Sequence, residues 1–243
     1  MEHKTTYTPF GDAAILIAWE AEISISISDD ILEFQSKIEG IKDDNIVAVI
    51  IGYSSLTIVF KNKYFNYLSE VKNLKKIYKS TYKALTKKAF IWEIPVCYDL
   101  DFGVDLEEMA KTSSLEVSEI CKLHSEKQYR VYFIGFLPGF LYLGGLDERL
   151  FFERKATPRL QIAKGAIAIG GKQTGVYPTD SAGGWNIIGK TPVNFFDIEL
   201  EHPCFAKAGD FIRFVAISKM EFLKIEKEVK EASYEISKTV YHA

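Results

Sequence analysis

Long hydrophobic runs are missing from this sequence. Apolar stretches such as Ile46–Ile51 fall far short of the ~18–20 residues that cross a bilayer. The N-terminal MEHKTTYTPFGD carries no apolar signal core. The expected location is therefore the cytoplasm, with no membrane partner. Cysteine is scarce: Cys97, Cys121 and Cys204 lie far apart, without CxxC spacing, which argues against a disulfide framework and against a zinc site. An excess of positive charge is also missing. Thirty Lys and Arg face 33 Asp and Glu, for a net charge of −3, so no global basic field attracts phosphate backbones and nucleic acid is not an expected partner. No internal repeat, low-complexity tract, metal-ligand cluster or Ser-His-Asp order stands out.

What is present is an ordinary globular composition, 47% hydrophobic and 26% charged over 243 residues, with room for one large or two small domains. Glycine is distributed unevenly. Eleven of the 16 glycines fall between Gly135 and Gly189, so that stretch should be turn-rich and mostly β.

The first half alternates strand and helix signals. Ala13–Trp19 has strand length, and Ile23–Ile27 alternates with period 2 as a half-buried strand does. Ser28, Asp29 or Asp30 is placed to cap a helix that runs to about Glu39 and stops at Gly40. Asn45–Ile51 and Ser55–Phe60 read as a hairpin around Gly52. The clearest helix is Tyr64–Leu85, whose apolar stripe is Tyr64, Tyr67, Leu68, Val71, Leu74, Tyr78, Tyr82 and Leu85. Lys72, Lys75, Lys76, Lys79 and Lys83 fall mainly outside that stripe. They suit either a solvated face or an anion- or partner-binding face. Together these elements suggest an α+β N-terminal domain over 1–88, ferredoxin-like in type.

The second half is expected to be a mainly-β domain over 89–218, a barrel or sandwich. Its strands are read at Phe90–Tyr98, Arg130–Ile134, Ala166–Ile169, Asn186–Ile188 and Phe211–Ile217. Short helices are read at Asp105–Lys111 and Leu115–His124, the second behind a capping box at Ser113–Glu116. A helix at Lys219–Lys230 and a tail complete the chain (219–243).

Gly184–Thr191 satisfies the P-loop pattern GxxxxGK[ST] letter for letter. That chemistry needs a buried strand before the loop and a helix opening at the Lys-Thr pair. Trp185, Ile187 and Ile188 would crowd such a loop, and Pro192 follows at once. Ile187-Ile188 reads better as a strand, so no Walker cradle is expected at Lys190.

The richest stretch runs from Tyr129 through Gly135-Phe-Leu-Pro-Gly-Phe140 to Leu146. It continues with Thr157-Pro-Arg159, Gly165–Gly171, Gln173–Pro178, Gly183-Gly-Trp185 and Ile188–Pro192. Upstream lie Phe10–Ala14, Ile94–Tyr98, Phe102-Gly103 and Leu123-His-Ser125. This order resembles the family of the 5-oxoprolinase B subunit, which includes the sporulation-kinase inhibitor and the domain called allophanate hydrolase subunit 1. The resemblance implies a cyclophilin-like β-barrel after the N-terminal domain. It also implies a cytoplasmic hetero-oligomer with the A and C subunits of 5-oxoprolinase and a small-molecule substrate. The family reaction is an ATP-dependent opening of 5-oxoproline to L-glutamate. ATP would be a co-substrate of the assembled complex, none being held tightly by this chain. Leu141, Glu153, Ala163 and Ala182 stand where the family pattern has Pro, and Ala166 stands where it has Ser.

Opening a lactam through a phosphorylated carbonyl needs cations, hydrogen-bond donors and a base. The catalytic candidates are His124, Arg159 and Gln173. Substrate binding is assigned to Arg159, Gln173, Thr174, Tyr177 and Trp185, which are expected to line one concave surface near the Gly135–Gly145 loop. Lys190 and Asn186 are further donors. Phe136, Pro138, Phe140 and Tyr142 are the expected partner interface, and no metal ligand is named. A second function class is a regulatory module that blocks a histidine kinase. Prolyl isomerisation, suggested by a cyclophilin-like fold alone, ranks third because fold does not carry function.

Overall fold

A computed structural model describes residues 3–61, 63, 65–81 and 88–242. They fall into two units, Met1–Lys87 and Lys88–Ala243.

In the first unit, strands β1 (Thr6–Pro9), β2 (Ala14–Ala18), β3 (Ile46–Ile51) and β4 (Ser55–Phe60) form one sheet in the order β1-β2-β4-β3, every neighbouring pair antiparallel. β2 and β3 thus run parallel with β4 between them, joined by helix α1 (Ile25–Ile41). The turn Gly52–Ser55 closes the β3–β4 hairpin through Gly52 N–H to the Ser55 carbonyl at 2.8 Å. Ile15, Ile17, Leu56 and Ile58 from the sheet pack against Ile27, Ile31, Phe34 and Ile38 of α1 and Leu74 of helix α2 (Tyr67–Tyr78).

The period-2 reading of Ile23–Ile27 is overturned, because the segment opens α1. Ile27, Ile31, Phe34 and Ile38 recur at helical spacing, and all are at most 2% exposed. Burying that continuous stripe outweighs a five-residue alternation that leaves Ile23 and Ile25 half exposed. The cap is Ser24 rather than Ser28, Asp29 or Asp30, and the helix runs past Gly40 to end at Lys42 in the left-handed region. Helix α2 is shorter than its stripe suggests. Asn66 caps it by accepting from Ser69 N–H, and it ends at Tyr78. Tyr64, Tyr82, Lys83 and Leu85 lie outside the described residues.

The second unit carries β5 (Phe90–Val96), helices α3 (Leu106–Ser113) and α4 (Val117–Ser125), then β6 (Gln128–Ile134) and β7 (Leu141–Gly144). There follow β8 (Arg159–Ile162), β9 (Ala166–Gly170), β10 (Gln173–Val176), β11 (Ser181–Gly183), β12 (Asn186–Lys190) and β13 (Phe211–Ala216). Helix α5 (Lys219–Lys230) and β14 (Lys238–Val240) end the unit. Eight strands form one sheet in the order β12-β9-β10-β7-β6-β13-β5-β14, with β11 and β8 as a separate pair. Cys97, the residue after β5, exchanges both backbone hydrogen bonds with Lys190 at the end of β12, at 2.9 and 3.0 Å. That single bridge brings the β12 side of the sheet back against the end of β5, so the sheet curls round as a barrel. Gly189 permits the approach, since a Cβ there would lie 2.8 Å from the Cys97 carbonyl oxygen. Inside are Ile94, Val96, Tyr129, Val131, Leu141, Leu143, Ile167, Ile169, Ile188 and Phe214.

The capping box expected at Ser113–Glu116 does not form. Ser113 Oγ donates back to the Met109 carbonyl at 2.8 Å, and Glu116 caps α4 without a side-chain bond. A complete capping box occurs instead at Ser218 and Glu221, at the start of α5. The tail is part of the sheet, because β14 pairs antiparallel with β5. Gly184–Thr191 is β-strand from Asn186 to Lys190 with no helix after it. The Lys190 ammonium lies over the rings of Phe102 and Phe222, at 5.8 and 5.9 Å. Among the described residues, no helix is long and apolar enough to cross a membrane.

Candidate functional site

Strand β10 divides the expected site residues. Side chains alternate across a strand, so Thr174 and Val176 face the barrel core while Gln173, Gly175 and Tyr177 face the other way. Gly175 marks that outer face, since a Cβ there would meet Phe140 Cζ at 3.1 Å and Trp185 Cζ3 at 3.2 Å. Phe140, Ile162, Ala166, Ala168, Tyr177, Trp185 and Ile187 form a second cluster on it. Phe140 meets Tyr177 and Trp185 edge-on at 5.9 and 5.7 Å. The backbone N–H of Trp185 bonds the Tyr177 hydroxyl, and Arg154 lies over the Trp185 ring at 5.8 Å. Gln173, at the strand's start, is half-buried beside this cluster.

The shared surface of five residues is therefore not what the chain builds. Thr174 is fully buried on the opposite face. Its hydroxyl donates to the Ala168 carbonyl at 3.2 Å, which leaves its oxygen to accept from His124 Nε2 at 2.8 Å. His124 Nδ1 in turn accepts a hydrogen bond from the Tyr98 hydroxyl at 2.7 Å. The imidazole stacks on Phe214 at 4.6 Å and is wholly buried. Burial drives its pKa down to about 3, because a charged ring has no water there. His124 is thus a neutral, fully bonded core residue, which corrects its reading as a catalytic candidate.

Arg159 is held by a carboxylate that sequence reasoning misses. Asp105, 2% exposed, accepts from Arg159 Nη2 at 2.6 Å, from Ile187 N–H at 2.7 Å, and pairs with Lys155 at 3.0 Å. Lys155 also pairs with Glu108 at 2.8 Å. These partners outweigh desolvation and hold the Asp105 carboxyl below its ordinary range. No local signal marks Asp105. Only the need of a half-buried guanidinium for a counter-charge points to it. Asn186 is likewise structural, its amide donating to the carbonyls of Glu153 and Ile169.

The four expected interface residues also separate. Phe136 is 64% exposed and sits at φ 62°, a left-handed conformation unusual for an aromatic. Pro138 is exposed and Tyr142 half-buried, stacked on Phe133 at 4.1 Å. Phe140 is only 2% exposed and belongs to the outer cluster, which corrects its place in an interface. Among the described residues, no three His, Cys, Asp or Glu side chains converge as a metal-binding group.

Residues 5–206 match the model of the carboxyltransferase domain, subdomains C and D. The chain is 34% identical to the 5-oxoprolinase B subunit of Bacillus subtilis, over 90% of this chain and 95% of that one. It is 36% identical to the protein of the same name from Haemophilus influenzae, over 85% and 95%. The chain belongs to the family of the 5-oxoprolinase B subunit. Among solved structures, this family member resembles TTHA0988 at 28% identity and a TM-score of 0.74, over 84% of this chain but only 40% of that longer one. It shares the fold of part of Kluyveromyces lactis urea carboxylase (TM-score 0.82, 19% identity), over 98% of this chain and 24% of that one.

Proposed function

We propose that this chain is the B subunit of an ATP-dependent 5-oxoprolinase, opening 5-oxo-L-proline to L-glutamate together with the A and C subunits. The observation that carries the reading is the 34–36% identity, over 95% of their length, to proteins of that name. The relatives' names favour this over the kinase-inhibitor class. The first unit is read as ferredoxin-like over residues 1–88, with its outer strand taken from the N-terminus as β1. The second is read as a cyclophilin-like barrel over 89–218. The proposed location is the cytoplasm.

In this reading the chain supplies a wall and a docking loop rather than a complete catalytic set. His124 and Arg159, the two side chains best suited to proton transfer or charge stabilisation, are both engaged internally. ATP phosphorylates the lactam carbonyl oxygen and ADP leaves; one water adds to the activated carbon and the ring C–N bond breaks with the amine as leaving group, and a second water hydrolyses the resulting acyl phosphate to glutamate and phosphate. Gln173, with Arg159 beside it, is assigned to face substrate in the assembled complex, and Tyr177 and Trp185, 2% and 6% exposed, form the packed wall behind it. Phe136 and Pro138 are assigned to the interface, since an exposed aromatic in a left-handed conformation costs about 1 kcal/mol or more and a partner contact would offset it. Co-expression with the A and C subunits should give glutamate release from 5-oxoproline that requires ATP and all three chains. Steady turnover by this chain alone, or none by the three together, overturns the reading.

A further inference from the structure

Two lysine-rich helices provide an internal comparison. On α5, Lys224, Lys227 and Lys230 each pair with a glutamate four residues away, and Lys219 pairs with Asp101. On α2, Lys72, Lys75 and Lys76, with Lys79 at its C-cap, make no ion pair among the described residues. The helix macrodipole favours cations in a last turn, which accounts for Lys75, Lys76 and Lys79 but not for Lys72. Nor does it account for Lys4, brought alongside by the residues that lead into β1.

A cavity of about 400 Å³ lies between these elements, lined by His3, Lys4, Thr5, Tyr7, Lys75, Tyr78 and Lys79. Among the described residues, no carboxylate lines it. Two carboxylates stand behind its wall, Glu20 on the Lys4 backbone N–H and His3 Nδ1 and Asp30 on Trp19 Nε1 and the Tyr78 hydroxyl, and neither pairs with the Lys4, Lys75 or Lys79 ammonium among the described residues. The Lys75 ammonium stands 5.1 Å from the centroid of the Tyr7 ring. A larger groove, lined by Leu68, Val71, Lys72 and Lys76 and sharing Lys75 and Lys79, continues from the cavity along α2. Unpaired cations converging on a concavity concentrate anions there, and this occurs in a chain whose net charge is −3.

We propose that the α2–β1 cavity binds a small, multiply charged oxyanion, either phosphorylated or polycarboxylate. Lys75 and Lys79 would supply the principal charges and Lys4 a third. The site lies wholly in the first unit and is independent of the residues assigned to 5-oxoproline.

The full chain should be titrated calorimetrically with pyrophosphate and, separately, with citrate, at low and at physiological salt. Binding of at least one probe is expected, weakening as salt rises. A tighter response to pyrophosphate assigns the phosphorylated class, and a tighter response to citrate the polycarboxylate class. Lys75→Gln with Lys79→Gln should weaken binding at least ~10-fold, with the circular dichroism spectrum unchanged because both side chains are at the surface. The paired lysines give the control: Lys224→Gln with Lys227→Gln should leave affinity intact. No binding of either probe at millimolar concentration overturns the proposal. So does equal binding by the Lys75/Lys79 variant, or equal loss in the α5 control.

Discussion

Acid should destabilise the barrel through a single imidazole, well above the pH at which its carboxylates titrate. His124 is fully buried, with its pKa lowered from 6.5 to about 3. The unfolded chain therefore binds a proton that the folded chain refuses throughout the interval between those values, so stability falls as pH falls through it. From pH 7 to pH 5 the loss amounts to roughly 2 kcal/mol, taking 1.36 kcal/mol per pH unit below 6.5. The neighbours add nothing in that window. Burial raises the pKa values of Tyr98, Tyr129 and Cys121, which keeps all three neutral. Asp105 is shifted the other way and stays ionised. The assay is the denaturation midpoint in urea at pH 7 and pH 5 for wild type and His124→Gln. Glutamine has no charge to gain, although its loss of the Phe214 stack lowers stability at pH 7. The gap between the two proteins should narrow by about 2 kcal/mol at pH 5. Parallel profiles would refute the buried neutral imidazole.

Arg159→Ala should lower stability by about 1–3 kcal/mol, because it strips a buried carboxylate of one partner while Lys155 remains; an unchanged thermal midpoint contradicts that pairing. Gln173→Ala, by contrast, should leave the midpoint unchanged and reduce turnover of the assembled complex at least ~10-fold, and full turnover removes Gln173 from the site. Lys190→Ala should leave nucleotide affinity of the isolated chain as it is, and a calorimetric loss of ATP binding reinstates the P-loop reading.

The elements that can be read from sequence are those whose pattern has one interpretation. The β3–β4 hairpin, β5, β9, β12, β13 and α5 are legible because each is a short apolar or amphipathic run with turn residues beside it. Ile23–Ile27 is not, since five residues of alternation fit a strand as well as the exposed and buried sides of a helix, and only the stripe extending to Ile38 decides. The curling of the sheet into a barrel is equally hidden. It depends on one backbone pair between Cys97 and Lys190, 93 positions apart in the chain numbering, and nothing in either residue's surroundings announces the other.

Clustered glycines beside polar side chains suggest space for a ligand, and here that inference fails for a physical reason. Gly170 and Gly175 make room for the chain's own aromatics: a Cβ on Gly170 would lie 2.6 Å from Trp185 Cγ, and one on Gly175 would press on Phe140 and Trp185. An indole seated on two backbones makes a rigid wall, not a ring free to swing over a site. Two neighbouring variants separate these cases. Gly170→Ala must displace Trp185 or the strand beneath it, at a cost of about 1–3 kcal/mol as in other overpacked cores. Gly171→Ala next to it has nothing within 4 Å to strike, and its strain comes only from φ 64°. If Trp185 lies against Gly170, quenching and emission of tryptophan fluorescence will change in Gly170→Ala and stay put in Gly171→Ala. If both variants respond alike, the indole is not seated there, and the surface around Gln173 is open in the way the glycine clustering suggests.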